Sequence, residues 1–414
     1  MAEIKYWLWL RSLEKLSNSA CLRLLWQFGS PERAYYADAE EYARVEGIGK
    51  AQLAALADKE LRRAEEIMAD CARLGIRIIT QSDAEYPQRL RAIPDAPCLL
   101  YVKGTWPDFD SEAAIALIGT RKATPYGVRV TERLGYELSK GGAYIVSGLA
   151  AGGDAAGHRG ALMAGRPTAA VLGGGIDVIY PLENRKLYAD IEAGGVLISE
   201  YPPGTETVGH HFLERNRIIS GLSTGVVVTE AALRSGTLNT VRHADEQDRD
   251  VYAVPGPIDA PYSQGCNRLL REGAGVVTCA WDILQELQMR FPDKINGRPV
   301  DVPPSVGRAG AEKEQGAAQA EEAAAAPPEQ KNGAQGKALT RAYLDSSAAR
   351  ERFTDDQIRI LYLLAEKAMI VDDLAEETQI PVRRVLSALT FLEIEKAVVK
   401  GGGNRYSLGQ LTEE

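Results

Sequence analysis

The sequence predicts an α/β protein built on a doubly wound, mostly parallel β-sheet, with a smaller module at each end of the chain. Between residues 76 and 292, short apolar runs punctuated by glycine alternate with amphipathic stretches. The runs are apolar on both faces, as strands buried inside a parallel sheet must be. This alternation of strand and helix signals is typical of a doubly wound α/β sheet.

Each element of this sheet domain follows from one such run. Strands are predicted at IRII (76–79), CLLYVKG (98–104), AIALIGT (114–120), AYIVSG (143–148), TAAVLGGG (168–175), VLIS (196–199), GVVVTE (225–230) and VYAVPG (251–256). Helices are predicted between them, at 125–140, 152–165, 183–193, 215–222, 236–247 and 266–273.

Residues 1–70 are predicted to form a small helical domain, of a SAM-like or helix-hairpin-helix type. Two helical patterns flank the turn VEGIGK (45–50). Such a turn can present backbone N–H groups and Lys50 to a phosphate, since helix N-termini attract anions. A tight turn between two packed helices explains the same residues equally well.

The rest of the chain divides into the sheet domain (71–292), a linker (293–350) rich in Ala, Glu, Gln, Pro and Gly, and a C-terminal module (351–414). That module carries three helical patterns followed by a hairpin pattern, which is the outline of a winged helix. Arg383 and Arg384 begin its third helix, where DNA-reading proteins place contacts. The acidic second helix would repel a duplex backbone, so DNA binding and protein binding both remain open.

Composition excludes several classes of protein. The 414 residues carry a net charge of -9, five scattered cysteines without a CxxC pair, and four histidines. These features argue against a disulfide framework and against a metal site. Apolar runs stay well short of the roughly 18 residues of a membrane helix, so we expect a soluble, cytoplasmic protein. Because bulk charge is acidic, any nucleic-acid site must depend on a few well-placed arginines.

Small and basic residues collect where the predicted strands end. Arg121 and Lys122 follow one strand, Ser147 and Gly148 follow the next, and Ser235, Gly236 and Thr237 open a later helix. Ligands of open parallel sheets bind at this carboxyl edge. Glycine lets a backbone approach an anion, and the planar arginine fork matches phosphate oxygens. The pattern predicts a phosphate-binding rim, although a strict GxGxxG and a Walker A sequence are both missing.

Seven ordered motifs make the chain similar to a known family. They are ALIGTRKATPYG (116–127), SGLAAGGDAAGHRGAL (147–162), VLGGGIDVIYPLENRKLY (171–188), ISEYPPGT (198–205), FLERNRIISGLS (212–223), EAALRSGTLNT (230–240) and AVPGPIDAPYSQGCNRLLREGA (253–274). Together they resemble the DNA-processing protein A (DprA/Smf) family over about residues 75–285.

The resemblance implies an extended Rossmann-like domain that binds single-stranded DNA. It also implies a homodimer that protects incoming DNA and loads the recombinase RecA during natural transformation and recombination. The family implies no catalytic reaction, no cofactor and no membrane partner. We therefore expect a binding protein and not an enzyme.

The motifs also carry site residues over to this chain. The residues implied to contact single-stranded DNA are Arg121, Lys122, Ser147, Gly148, Phe212, Arg215, Asn216, Arg217, Ser235, Gly236 and Thr237. Lys50, Arg383 and Arg384 are secondary candidates. Arg121 matches the arginine of the family's GTR motif, residues 215–217 match RNR, and Phe212 is the aromatic residue before it, placed to stack on a base.

Some of these residues have structural alternatives. Arg217 could pair with Glu200 or Glu230 and only brace the sheet, and Phe212 could belong to the core. Two other functions also compete. Related Rossmann-like enzymes cleave nucleoside monophosphates, but their catalytic glutamate is missing from RSGTLNT (234–240). The remaining alternative is a regulatory protein that binds a small nucleotide in the same pocket.

Overall fold

The computed structural model describes residues 3–297, 302–303, 306, 352–365, 367–395, 397–400 and 405–408. The chain divides into two compact units, Met1–Ala323 and Ala324–Glu414, which are treated separately below. Most of the predicted linker lies outside the described residues.

One nine-stranded sheet organises the described part of the first unit. Its strands, in chain order, are β1 (Arg77–Thr80), β2 (Leu99–Gly104), β3 (Ala114–Ile118), β4 (Tyr144–Ser147), β5 (Thr168–Leu172), β6 (Val196–Ser199), β7 (Gly225–Val228), β8 (Asp250–Ala253) and β9 (Gly275–Val276). They lie in the order β1-β2-β6-β5-β4-β3-β7-β8-β9. Only the pairs β1–β2 and β2–β6 are antiparallel. The predicted fold class and all eight predicted strands are confirmed.

Helices cover both faces of this sheet. They are α7 (Gln88–Arg91), α8 (Pro125–Lys140), α9 (Gly153–Met163), α10 (Arg185–Gly194), α11 (Gly209–Gly221), α12 (Thr237–Glu246), α13 (Gln264–Arg271) and α14 (Trp281–Arg290). Apolar residues of α11, α12 and α13 pack on one face, and those of α8 and α14 pack on the other. The central strands β3 and β7 are buried along their whole length, which explains their continuous apolar sequences.

The N-terminal helices share a core with the sheet. They are α1 (Ile4–Ser12), α2 (Asn18–Phe28), α3 (Pro31–Tyr36), α4 (Ala39–Ala43), α5 (Lys50–Leu56) and α6 (Arg62–Leu74). Trp7, Trp9 and Leu24 lie in one apolar cluster with Leu99 and Tyr101 of β2. Because of this shared core, the helical segment and the sheet form one packed body. Helix α6 also runs across residue 70, where the boundary between the two domains was predicted.

The predicted helical hairpin is present in this segment. The turn between α4 and α5 places Gly47 at a φ of +74°, a backbone conformation that favours glycine. The exposed Lys50 is the first residue of α5, and the Gly49 N–H is capped by the Gln52 side chain. The phosphate role of Lys50 therefore stays a prediction.

Several details differ from the sequence-based predictions. Helix α11 begins at Gly209, six residues before the predicted start. The short elements α7 and β9 and the helix α14 were not predicted at all. No side chain caps the N-terminus of α11, so its start lacks the usual sequence signal. Residues assigned to the start of the linker instead pack on the first unit, because Ile295 is buried and the Asn296 N–H donates to the Gly141 carbonyl.

The second unit is a winged helix, as predicted. Its elements are α15 (Asp355–Leu364), β10 (Met369–Ile370), α16 (Val371–Thr378), α17 (Val382–Ile394), β11 (Val398–Lys400) and β12 (Arg405–Leu408), with the strands in the order β10-β12-β11. Thr354 and Gln357 form a capping box at α15. Ile360, Leu374 and Leu389 lie in its core. No helix in the described parts of either unit is long and apolar enough to span a membrane.

Candidate nucleic-acid interface

A pocket of about 440 Å³ opens where the strand order of the sheet reverses. The chain runs from β3 outward through β4, β5 and β6, and then returns to β7 on the other side of β3. Open α/β sheets bind ligands in the crevice at this position. We call this cavity the switch-point pocket. It is lined by the loop after β3, by helix α11 and by the segment that opens α12. The lining residues include Arg121, Phe212, Arg215, Asn216, Ser235 and Thr237.

A cation and two aromatic rings stack at the mouth of this pocket. The exposed Arg121 guanidinium lies 4.3 Å from the centroid of the Phe212 ring. The Tyr180 ring packs on the same Phe212 ring, with 5.4 Å between the centroids, and Tyr180 is 49% exposed. A guanidinium held over an aromatic ring keeps its edge donors free for an anion. The stack therefore places a guanidinium, whose shape suits a phosphate, beside an aromatic surface.

The floor of the pocket is formed by a buried arginine. Arg215 is 3% exposed, and its Nη1 donates to the carbonyl oxygens of Gly148, at 2.8 Å, and Val171. Burial lowers the pKa of Arg215 to about 10, and the carboxylate of Asp154 opposes that shift. The side chain thus ties the loop after β4 to the end of β5 and puts a positive charge at the floor of the pocket.

Replacing Gly148 by alanine tests this floor. An added Cβ would lie 2.6 Å from Cζ of Arg215, so the buried guanidinium must move and lose hydrogen bonds. We expect Gly148→Ala to lower the free energy of unfolding by about 1–3 kcal/mol. Urea unfolding measures this effect. Gly194→Ala is the control, because its Cβ would meet only Leu162 at 3.8 Å, and it should be neutral or slightly stabilising.

The N-terminus of α12 supplies the opposite wall. Ser235 Oγ accepts a hydrogen bond from the Thr237 N–H at 3.2 Å, which shapes the first turn of the helix. The ten-residue helix begins at Thr237, which lines the pocket, so the positive end of the helix dipole lies at this wall. Asn216 donates from Nδ2 to Asn239 Oδ1 at 3.1 Å and so joins α11 to α12.

Arg217 points away from the switch-point pocket. Its guanidinium is buried and contacts the Glu200 carboxylate at 2.8 Å and the Asp95 carboxylate at 3.2 Å. Glu230, the other partner considered above, instead accepts hydrogen bonds from the Thr124 N–H and hydroxyl. This geometry favours the bracing role for Arg217, and its direct contact with DNA stays a prediction.

The Glu200–Arg217 pair makes stability depend on pH. Burial alone would raise the pKa of Glu200, but the Arg217 guanidinium holds it below its ordinary value of 4.5. A depressed carboxyl pKa stabilises the fold above the ordinary value, and that contribution is lost as pH falls through the folded-state pKa. We expect the gap in unfolding free energy between the native chain and Glu200→Gln to be constant above about pH 5 and to shrink in acid. A gap that widens on acidification would contradict this assignment.

The other predicted site residues lie in different surroundings. Ser147 is buried, and its hydroxyl donates to the Leu117 carbonyl at 2.6 Å. This hydrogen bond is structural, since it joins β4 to β3. Lys122 is exposed next to Arg121 but does not line the pocket. In the second unit, Arg384 pairs with Asp356 at 2.5 Å, and Arg383 is the second residue of α17.

Sequence reasoning missed several residues of the pocket. Tyr180 does not line the pocket itself but packs on Phe212 beside it, and its aromatic side chain in a strand-end loop was an available signal. Asp154 lines the pocket from a buried position, where it accepts from the Gly119 N–H at 3.4 Å, and burial raises its pKa. Arg234 and Tyr262 also line the pocket; both lie within the quoted motifs, but neither was singled out as a site residue. No cluster of potential metal ligands occurs among the described residues.

Comparison with known proteins identifies the family. The sequence pattern of the DNA recombination-mediator protein A family matches residues 77–288, which is half of the chain. The chain belongs to this family, DprA/Smf. The DprA winged helix domain matches residues 321–404, in agreement with the second unit.

Individual relatives of this DprA/Smf chain support the same conclusion. Protein Smf of Synechocystis sp. is 35% identical over 290 residues, which cover 69% of this chain and 73% of the relative. The DNA processing protein DprA of Bacillus subtilis is 40% identical over 224 residues, or 54% and 75% of the two chains. The X-ray structure of DprA from Streptococcus pneumoniae aligns with a TM-score of 0.60 and 34% identity, covering 68% of this chain and 97% of that one.

Proposed function

We propose that this protein binds single-stranded DNA in the switch-point pocket, protects it, and delivers it to the recombinase RecA in natural transformation and recombination. The observation that carries the proposal is the exposed guanidinium of Arg121, stacked on Phe212 at the mouth of a pocket with the buried cation Arg215 beneath it.

Two groups are placed to hold a phosphate. Arg121 lies exposed at the rim, and the positive end of the α12 dipole lies on the opposite wall. Helix N-termini and arginine forks are both suited to phosphate oxygens. Because both walls face one cavity, a phosphate between them is attracted from both sides despite the acidic net charge of the chain.

The aromatic surface favours a single strand over a duplex. Phe212 and Tyr180 can receive the face of a base only if that base has left its own stack. Stacking does not depend on the identity of the base, which suits a protein that handles DNA of any sequence. A duplex would have to open before it could use this surface, and this opening costs binding free energy.

The pocket favours binding over catalysis. Among the described residues that line it, Asp154 is the one carboxylate, and it is buried against Gly119 and Arg215. Cleavage of a glycosidic bond needs a carboxylate that can reach the sugar or a water molecule. We therefore place the chain with the binding proteins and not with the nucleotide-cleaving enzymes.

Delivery to RecA and assembly into a homodimer rest on membership of the family and on the resemblance of the motifs. Light scattering should give twice the monomer mass, and the chain should accelerate the DNA-dependent ATP hydrolysis of RecA on protein-coated single strands. Lys50, Lys122, Arg383 and Arg384 are proposed as secondary contacts along a longer DNA. The second unit is proposed to bind DNA or protein.

Fluorescence anisotropy with a labelled oligo-dT of a few tens of nucleotides tests the binding itself. We expect salt-sensitive binding that is tighter than to a duplex of equal length and far tighter than to a mononucleotide. Binding to the mononucleotide alone would contradict the proposal and would favour the regulatory or nucleotide-cleaving alternatives.

A further inference from the structure

The switch-point pocket holds more positive charge than its own carboxylate can balance. Its charged lining residues are Arg121, Asp154, Arg215 and Arg234. Burial lowers the pKa of Arg215 only to about 10, so all three guanidinium groups stay protonated at neutral pH. Against them stands the single carboxyl group of Asp154, whose pKa is raised by burial. The described lining of the pocket therefore carries at least two positive charges in excess, although the chain as a whole is acidic.

Arg234 is exposed and has no counter-ion among the residues that the structure describes. It lies on the loop between β7 and α12, and it forms no salt bridge and no side-chain hydrogen bond within the described ranges. Arg242, farther along on α12, is instead paired with Glu246 at 2.9 Å and does not line the pocket. Because like charges held in one cavity repel each other, the cations of the pocket favour the entry of an anion.

Hydrogen bonds hold the loop of Arg234 at both ends. At its start, the N–H of the buried Ala231 donates to the Tyr262 carbonyl at 2.7 Å. At its end, the Thr237 N–H donates to the Ser235 hydroxyl at 3.2 Å. Only three residues separate Ala231 from Ser235, so the Arg234 side chain is tethered to this wall of the pocket.

Arg121 reaches the pocket from a different loop. It follows β3, and its guanidinium stacks on Phe212 of α11 at 4.3 Å, whereas Arg234 follows β7 and lies next to the start of α12. A phosphodiester carries one negative charge, so a single phosphate at Arg121 would leave the excess charge of the pocket only partly matched. A second phosphate of the same strand would complete the match, because successive phosphates of a strand are joined through one nucleoside.

From this charge balance we infer that Arg234 binds a second phosphate of the DNA strand, adjacent to the phosphate at Arg121, so that the switch-point pocket spans two consecutive phosphodiesters. This inference rests on the proposed binding of single-stranded DNA in that pocket. It gives a physical reason for the expected preference for a strand over a mononucleotide, since a mononucleotide brings a single phosphate group.

Salt titrations of oligo-dT binding test the second phosphate contact. Anisotropy with the full chain and a 3′-labelled oligo-dT that ends in a 5′-hydroxyl gives the slope of the logarithm of the binding constant against that of the salt concentration. Each phosphate neutralised on a single strand contributes about 0.7 to this slope. We expect Arg234→Ala to lower the slope by about 0.7, and the double variant with Arg121→Ala to lower it by about 1.4, twice the value for one phosphate.

Two variants serve as controls for Arg234→Ala. Arg234→Lys keeps the positive charge and should keep the native slope. Arg242→Ala removes an exposed arginine outside the pocket and should also keep the native slope. Because Arg234 is exposed, its replacement should change the free energy of unfolding by no more than about 0.5 kcal/mol, which urea unfolding checks.

The outcomes separate the inference from the proposed function. An Arg234→Ala variant with the native slope would overturn the second contact. So would a double variant with the slope of Arg121→Ala alone, because both arginines would then share one phosphate. A loss of slope that appears only with 5′-phosphorylated oligo-dT would replace the second phosphodiester by a terminal phosphate. In these cases the native chain still binds oligo-dT and the proposed function stands; if the native chain bound no oligo-dT, the function itself would fail and the inference with it.

Discussion

Arg217→Ala should destabilise the protein by about 3–5 kcal/mol, because it leaves the buried Glu200 carboxylate without its main cation. In the folded chain Arg217 contacts Glu200 at 2.8 Å and donates from Nε to the Asp95 carbonyl at 2.8 Å. Removing it breaks a connection between α11, the β6 loop and the segment before β2. Urea unfolding followed by circular dichroism measures the loss.

Arg77→Ala is the matched control for this variant. Arg77 lies on the edge strand β1, and its pair with Glu85, at 3.4 Å, is between exposed side chains. Such a pair contributes about 0–1 kcal/mol, so the control should unfold close to the native chain. If Arg217→Ala were as stable as Arg77→Ala but failed to bind DNA, the bracing role would be wrong and direct phosphate contact would be favoured.

Phe212→Ala should weaken binding of single-stranded DNA by about 5- to 150-fold, the equivalent of about 1–3 kcal/mol for one stacked base. The ring is half-buried, carries Arg121 on its surface at 4.3 Å and contacts Tyr180 at 5.4 Å. Its loss removes both the stacking surface and the support that orients the guanidinium. Anisotropy titrations with oligo-dT measure the change.

Two variants make the Phe212 result interpretable. Phe212→Trp keeps an aromatic face and should retain most of the affinity. Trp26→Ala removes an aromatic side chain that is 86% exposed on α2 and should leave DNA binding unchanged. If Phe212→Ala unfolded readily but bound DNA normally when folded, Phe212 would be a core residue, as the alternative interpretation holds.

The sheet and its carboxyl edge were predictable because each rests on a local signal. Strands such as β3 and β7 are continuous apolar runs, and the glycines and small polar residues that follow them mark the end of a buried strand. Arg121 could be assigned to the rim from its position alone. The winged helix was predictable for the same reason, since a capped amphipathic helix and a hairpin are both local patterns.

The different roles of Arg215 and Arg217 were not predictable from the motif that contains both. Their roles depend on the phase of α11, and residues two positions apart on a helix point in nearly opposite directions. Since no side chain caps that helix, its start at Gly209 could not be read from the sequence, and its phase was unknown. The pairing of Arg217 with Glu200 is likewise a tertiary contact, between a helix and the end of a distant strand.

The central claim is that Arg121 binds a phosphate of single-stranded DNA, and the salt dependence of binding tests it most directly. For each phosphate neutralised, the logarithm of the binding constant should fall with the logarithm of salt concentration by about 0.7. Arg121→Ala should therefore reduce the slope for oligo-dT by about 0.7, whereas Arg77→Ala should leave it unchanged. A weaker Arg121→Ala variant with the native slope, or one that binds as tightly as the native chain, would contradict the claim.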